Sequence, residues 1–94
     1  MIVLRIEHPV PDYNGWKKAF ANDPLDRKKS GVKSYRVYRP VDDPNFVIID
    51  LLFAEASAAE SMLGALHKLW GKVEGTVMSN ARTRVLEITE DKDY

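Results

Sequence analysis

The chain has 94 residues, enough for one domain over residues 1–94 that buries only about 60 to 65% of its unfolded surface, so we expect association to add to its core. Its 14 basic and 14 acidic side chains balance, which argues against nucleic acid or an anionic membrane surface as a partner. The absence of cysteine excludes disulfides, thiolate catalysis and cysteine metal sites, and is compatible with a cytoplasmic location.

The N-terminal segment predicts a strand followed by a helix. Val3 to His8 is rich in β-branched and apolar residues and stops at prolines. A charge at Arg5 interrupts the apolar run, so the segment predicts neither a signal peptide nor a membrane span. Asp12 predicts the cap of a helix whose apolar residues recur every three or four positions, namely Tyr13, Trp16, Ala19 and Phe20.

The next stretch, NDPLDRKKSG, predicts the end of that helix and the start of another. Asp23 is a suitable cap, Pro24 suits a first helical position, and Gly31 suits the left-handed residue beyond a helix end. We therefore expect the first crossover to be a broken helix.

A hairpin and a second helix follow, and a last strand ends the pattern. Residues 32–40 predict a strand, DDPN at 42–45 a tight turn, and FVIIDLLF at 46–53 the partner strand. A helix is expected to begin near Ala54 to Ala56, to end around Gly71 and Gly75, and to be followed by a strand within ARTRVLEITE. Its apolar stripe comprises Ala59, Met62, Leu63, Leu66, Leu69 and Trp70.

This order of strand, helix, strand, strand, helix and strand predicts an α+β, ferredoxin-like βαββαβ fold. Right-handed crossovers place both helices on one face of a four-stranded antiparallel sheet, with the first and third strands in the middle. The third strand, 46–53, is apolar on both faces apart from Asp50. We therefore expect the face without helices to be covered by a second copy related by a two-fold axis.

The register of the hairpin decides which side chains face the helices. If the DDPN turn sets it, paired residues have numbers that sum to about 87. Arg36 and Tyr38 then face the helices together with the apolar residues at 47, 49, 51 and 53, and Asp50 faces the dimer side, with Arg39 or Arg5 as its partner. A slip of one residue in the turn would reverse these faces.

Three stretches together resemble a known superfamily. HPVPDYNGWKKAF, the hairpin SGVKSYRVYRPVDDPN and a second helix bearing Leu and Trp are similar to the dimeric α+β barrel proteins, which include antibiotic-biosynthesis monooxygenases and related cyclase-like proteins. The resemblance covers nearly the whole chain. It implies a homodimer and, in each subunit, a pocket between the sheet and the helices for a small apolar or aromatic ligand. Members differ in their reactions, so the reaction stays open.

Three residues are candidates for catalysis in such a pocket. His67, at the edge of the second helix's stripe, has a side chain suited to a general base, although a histidine at such a border is more often a boundary residue without a catalytic role. Under the predicted register, Tyr38 and Arg36 can stabilise an enolate or phenolate oxygen. Their alternatives are a core tyrosine and an edge-strand charge.

Four further residues are candidates for substrate binding. Trp16, Trp70 and Tyr13 fall at helical spacing, which also suits a plain core, and His8 closes the first strand, where it also suits a rim position. The tryptophan and asparagine that accompany an active-site histidine in some related oxygenases are not evident, which argues against monooxygenase and haem chemistry.

Other classes of site find little support in the sequence. The two histidines are far apart in sequence and no HxH, HxxxH or HExxH occurs, so we expect no metal site. Nucleotide-binding glycine motifs are absent, and the two central strands lack the aromatic residues with which RNA-binding proteins of this fold stack on bases. Two classes remain: a cofactor-independent cyclase, isomerase or monooxygenase acting on an aromatic or polyketide-like substrate, and a non-catalytic dimeric ligand-binding or regulatory module.

Overall fold

The protein, seen in a computed structural model that describes residues 1–73 and 81–94, has the predicted order of elements. They are β1 (Ile2–Pro9), α1 (Tyr13–Ala21), β2 (Val32–Tyr38), β3 (Phe46–Phe53), α2 (Ala56–Val73) and β4 (Arg82–Glu87). The ferredoxin-like α+β prediction is therefore confirmed.

The four strands form one antiparallel sheet in the order β2-β3-β1-β4, so the first and third strands lie in the middle as predicted. Both helices pack on one face, where side chains of α1 and α2 surround the same space as Ile6 and Ile49. We call the other side the open face; it carries the paired residues Arg5, Asp50 and Arg36. The core lies on the helix side, where Leu4, Val47 and Phe53 are fully buried.

The start of α1 follows its sequence signal. The Asp12 carboxylate accepts a hydrogen bond from the Gly15 backbone N–H at 2.9 Å, which satisfies one of the free donors of the first turn. Of the predicted apolar stripe, Trp16 is buried, and Tyr13 and Phe20 pack partly buried against the core.

The predicted second helix of the first crossover is wrong. Asp23 and Asp26 have φ of +48° and +50°, in the left-handed region, which interrupts an α-helix. Residues 22–31 instead form successive turns held by local bonds, such as that from the Ser30 N–H to the Asp26 carbonyl at 2.9 Å. Gly31, at φ +99°, does adopt the predicted left-handed conformation.

α2 continues through the first of the two glycines around which its end was predicted, and its last described residue, Val73, lies between them. Gly71 does not release the chain, because the helix continues to Val73. A glycine costs only about 1 kcal/mol relative to alanine inside a helix, so flanking residues that favour the helix can carry it through. The predicted break at Gly75 lies outside the described residues.

The predicted hairpin register is wrong by one residue. Arg36 pairs with Asp50 and Tyr38 with Ile48, so the residue numbers sum to 86. β2 ends at Tyr38, two residues before Pro40, whose missing N–H cannot join the ladder, and a bulge between Val32 and Ser34 shifts the pairing again. Tyr38 and Arg36 therefore lie on the open face, not under the helices.

Candidate functional site

A cavity of about 280 Å³ lies between the helix side of the sheet and the two helices. β1 and β3 form its floor, α1 and the turns at 22–31 form one wall, and α2 forms the other. Most of its described lining is apolar, including Ile6, Trp16, Phe20, Leu51, Met62 and Trp70. The polar residues in that lining are His8, Asn22, Asp23 and Arg27.

His8 is the buried titratable group of this cavity. Its side chain points to the helix side from the end of β1, and the residue is 1% exposed. Its Nδ1 lies 3.0 Å from the carbonyl oxygen of Pro9, and because a carbonyl only accepts, Nδ1 carries the proton and Nε2 the lone pair. Burial lowers the pKa of His8 below its ordinary value, and the contact with Pro9 opposes this only in part. The ring is therefore neutral at pH 7.

Aromatic rings line the α1 wall in sequence from His8. The His8 and Trp16 ring centroids are 6.2 Å apart, and Trp16 stacks on Phe20 with centroids 5.0 Å apart. Tyr13 packs against Trp16 at 5.9 Å. Tyr13, Trp16 and Phe20 share one face of α1, so this wall follows from their spacing in the sequence.

Arg27 continues this row beyond Phe20. Its guanidinium carbon lies 3.9 Å from the Phe20 ring centroid and 5.2 Å from that of Tyr35, and its Nη1 donates to the Phe20 carbonyl at 2.9 Å. The Asp23 carboxylate holds the local backbone by accepting from the Arg27 N–H at 2.8 Å. Arg27 is not among the residues expected from the sequence, because its placement depends on turns that were predicted as a helix.

The residues proposed from sequence for substrate binding fall mainly at this cavity. Trp16, Trp70 and His8 line it, and Tyr13 supports it through Trp16. His67 is exposed, packs beside Trp70 with ring centroids 5.6 Å apart, and does not line the cavity. Its predicted role as the base stays a prediction without support from the cavity geometry.

The predicted placement of Tyr38 and Arg36 in the pocket is wrong, because both lie on the open face. There the Tyr38 hydroxyl donates to Asp50 Oδ2 at 2.8 Å. Arg5 binds the same carboxylate with two bonds, from Nε at 2.8 Å and from Nη2 at 2.9 Å. Arg5 is thus the partner of Asp50, and Arg39 instead lies 4.1 Å from the Tyr13 ring centroid.

The three donors around Asp50 hold it in its charged form. Arg5, with Tyr38 adding to it, lowers the pKa of Asp50 below its ordinary value, although burial acts in the opposite direction. The pair also raises the pKa of Arg5. A saturated carboxylate between two side chains of the same face is suited to structure rather than to proton transfer.

The described ranges contain neither a cluster of metal ligands nor a helix that could span a membrane. In residues 1–73 and 81–94, no three His, Asp or Glu side chains cluster closely enough to hold a metal ion. Neither α1 nor α2, over the same ranges, has the length and apolar character that crossing a bilayer requires.

Comparison with known proteins gives a likeness of structure and not of sequence. No family model matches the chain, and no curated protein matches it. Solved structures do: SnoaB, a cofactor-independent oxygenase from Streptomyces nogalater, superposes with a TM-score of 0.74 at 11% identity, over 96% of this chain and 94% of that one.

Two further structures share the fold. MhuD, as an arginine-to-serine mutant with two manganese protoporphyrin IX molecules bound per active site, gives a TM-score of 0.73 at 19% identity, with all of both chains covered. An antibiotic biosynthesis monooxygenase gives 0.65 at 7% identity, over 96% of this chain and all of that one. The likeness of fold to the monooxygenase-like proteins is therefore confirmed, and at these identities it concerns the fold alone.

Proposed function

We propose that this protein binds a small, flat, largely apolar molecule in the cavity between the sheet and the two helices, and that His8 acts there as a general base. The observation that carries the proposal is an apolar cavity with a buried, neutral histidine in its wall. At about 280 Å³, it lies just below the roughly 300 to 1,000 Å³ typical of ligand pockets. An aromatic or polyketide-like compound of a few rings suits this size and the aromatic wall.

His8 has the protonation state that the proposed chemistry requires. With Nδ1 bound to the Pro9 carbonyl, Nε2 keeps a lone pair, and no partner for Nε2 is present in the described part of the chain. Nε2 is therefore available to take a proton from an acidic C–H or O–H of the substrate. Cyclisation, isomerisation and cofactor-independent oxygenation can all begin with that step, and the description of SnoaB as a cofactor-independent oxygenase supports this class.

Binding is tested with N-phenyl-1-naphthylamine, a neutral apolar dye that fluoresces when it leaves water. Ala19 lines the cavity, so Ala19→Phe should fill part of it and weaken binding by at least about tenfold, a loss of about 1.4 kcal/mol. Ala21→Phe, on an exposed position of the same helix, is the matched control and should bind like the parent. Equal binding by all three proteins would place the dye elsewhere and contradict the proposal.

Base catalysis is tested with 5-nitrobenzisoxazole, whose ring opens when a base removes its C3 proton and the N–O bond breaks. We expect saturable turnover that His8→Gln and Ala19→Phe abolish and that His67→Gln leaves unchanged. Turnover should decrease as the pH falls and His8 becomes protonated, with a midpoint below the ordinary histidine value, because burial lowers the pKa of His8. Dependence on His67 instead would support the base predicted from the sequence.

A non-catalytic ligand-binding or regulatory module is the second candidate, because an apolar lining is sufficient for binding alone. Saturable dye binding without turnover of 5-nitrobenzisoxazole would favour it. A cytoplasmic location remains part of the proposal in either case, on the absence of cysteine alone.

We also propose that the protein is a homodimer that packs through its open face. This face presents half-buried Phe46, Ile48 and Leu52 on the central strand β3, and its Asp50 is already satisfied by three donors. A second copy can therefore cover it without burying an unpaired carboxylate.

Light scattering should give twice the 10.7 kDa of one chain, Ile48→Lys should give a monomer, and the exposed-loop control Val41→Lys should stay dimeric. A monomeric parent would contradict this part of the proposal.

A further inference from the structure

We propose that the ligand of the cavity is an apolar anion whose carboxylate or sulfonate oxygens are bound by Arg27. This inference rests on the proposed function, since it names the chemical class of the molecule that enters the same cavity. The observation is that one cationic side chain lies in the wall of an otherwise largely apolar space, beside Phe20.

Arg27 is held in place by contacts that do not use up its donors. The side chain is 18% exposed and lies against the Phe20 ring, and Nη1 donates to the Phe20 carbonyl. Within residues 1–73 and 81–94, Nε and Nη2 have no hydrogen-bonding partner. A fixed guanidinium with unused parallel donors fits a carboxylate or sulfonate, two oxygens of which can accept parallel hydrogen bonds from Nε and Nη2.

Asp23 is the group that competes with such an anion. It also lines the cavity, but the distance from its Oδ1 to Arg27 Nη1 is 3.5 Å, longer than the 2.7 to 2.9 Å or so of a strong charge-assisted bond. The same Oδ1 already accepts from the Arg27 backbone N–H at 2.8 Å. The carboxylate therefore orients the backbone around Arg27 and leaves the outer edge of the guanidinium to a ligand.

The positions of Arg27 and His8 set the shape of the ligand. The row of His8, Trp16, Phe20 and Arg27 places the proposed base and the cation at two ends of one aromatic wall. A flat molecule stacked along this wall reaches His8 with its apolar end and Arg27 with its anionic end. Among the cavity's polar residues, Arg27 thus fixes the orientation in which the substrate meets the base.

The test compares two fluorescent dyes of nearly the same shape, 8-anilinonaphthalene-1-sulfonate and the uncharged N-phenyl-1-naphthylamine. The parent protein should bind the sulfonate more tightly by at least about tenfold, the size expected for hydrogen bonds to a charged group. Arg27→Met should remove that preference and leave binding of the neutral dye within about twofold, and Arg27→Lys should keep part of it. Arg36→Met, on the open face, is the matched control and should change neither affinity.

A second variant tests the same assignment in the opposite direction. Asp23→Asn removes the competing charge while its oxygen still accepts from the Arg27 N–H, and asparagine tolerates the positive φ of this position. The sulfonate should bind several-fold more tightly and the neutral dye should bind as before.

The outcomes separate this inference from the proposed function. One outcome is that the neutral dye binds in a way that depends on Ala19 while the parent shows no preference for the sulfonate, or shows a preference that Arg27→Met retains. Either result would overturn the role of Arg27 and leave the proposed function intact. A loss of both dyes to the same extent in Arg27→Met would also overturn it, because the residue would then only support the wall. Absence of any cavity binding would instead overturn the proposed function.

Discussion

His8 and Asp50 are the two buried polar side chains in the described part of the chain, and they lie on opposite faces of the same sheet. His8 is 1% exposed on the helix side and Asp50 is 6% exposed on the open face. Burial disfavours the charged form of both groups. His8 has a single polar contact and burial prevails, whereas Asp50 has three donors and stays ionised.

His8 and Asp50 differ in whether their hydrogen-bonding partners leave them free to exchange a proton. A buried group whose partners leave a lone pair unused can exchange a proton with a ligand, as Nε2 of His8 is placed to do. A buried group whose partners stabilise its charge resists protonation and instead links strands, as Asp50 links β1 to β2 through Arg5 and Tyr38. The number and kind of partners, more than the depth of burial, decide which of the two buried groups can exchange a proton with a ligand.

The largest effect on stability is expected from removing Arg5, the cation that binds Asp50 on the open face. Arg5→Met leaves the Asp50 carboxylate with Tyr38 as its remaining side-chain donor, and should lower the free energy of unfolding by about 2 kcal/mol, moderated because the Arg5 side chain is 40% exposed. Urea denaturation at fixed protein concentration measures this.

Two further variants make the result specific to the ion pair. Arg36→Met, on the same face and exposed, should change stability by less than about 0.5 kcal/mol. Adding Asp50→Leu to Arg5→Met should recover part of the loss, because no unpaired carboxylate then remains. Equal losses in Arg5→Met and Arg36→Met would mean that the pair contributes nothing particular.

The next largest effect is on the pH dependence of stability, and it comes from His8 on the helix side of the sheet. The pKa of His8 is lowered in the folded protein, so as the pH falls through about 6.5 the unfolded chain binds a proton that the folded one does not. Unfolding free energy should therefore fall from pH 7 towards pH 5, by at most about 1.4 kcal/mol per pH unit from this group. His8→Gln should remove this slope, and His67→Gln should keep it.

Asp50 contributes to the pH dependence of the unfolding free energy in a separate, more acidic pH range. Because its pKa lies below the ordinary value of 3.8, its stabilising effect is complete above that pH and is lost as the pH falls through the folded value. The two faces can thus be distinguished in one titration. A slope between pH 7 and pH 5 that survives in His8→Gln would show that another group causes it.

The sequence was sufficient for the features that depend on local pattern. Asp12 predicts the start of α1, the succession of strand and helix patterns gives the order of elements, and the central position of β3 follows from that order. The same reasoning placed Asp50 on the open face and named Arg5 as one of two partners, because a buried carboxylate requires a cation and few are in reach.

Two features were not predicted, the pairing register of β2 with β3 and the turns at 22–31, because each depends on a few single residues. Pro40 and the bulge between Val32 and Ser34 change which residues of β2 and β3 are paired. A shift of one residue in this register is enough to exchange the faces of Tyr35 and Tyr38. The left-handed conformations of Asp23 and Asp26 turn an expected helix into turns and bring Arg27 to the cavity. Neither signal is visible in hydrophobic periodicity.

The smallest expected effect tests that register directly. Tyr38→Phe removes the hydroxyl that donates to Asp50 at 2.8 Å and should cost about 1 kcal/mol of unfolding free energy. Tyr35→Phe keeps the ring that packs on Phe20, with centroids 5.2 Å apart, and should cost less than about 0.5 kcal/mol. The register expected from the DDPN turn requires the reverse, because it puts Tyr35 on the side of Asp50 and Tyr38 under the helices. Denaturation of the two variants therefore decides which tyrosine shares a face with the carboxylate.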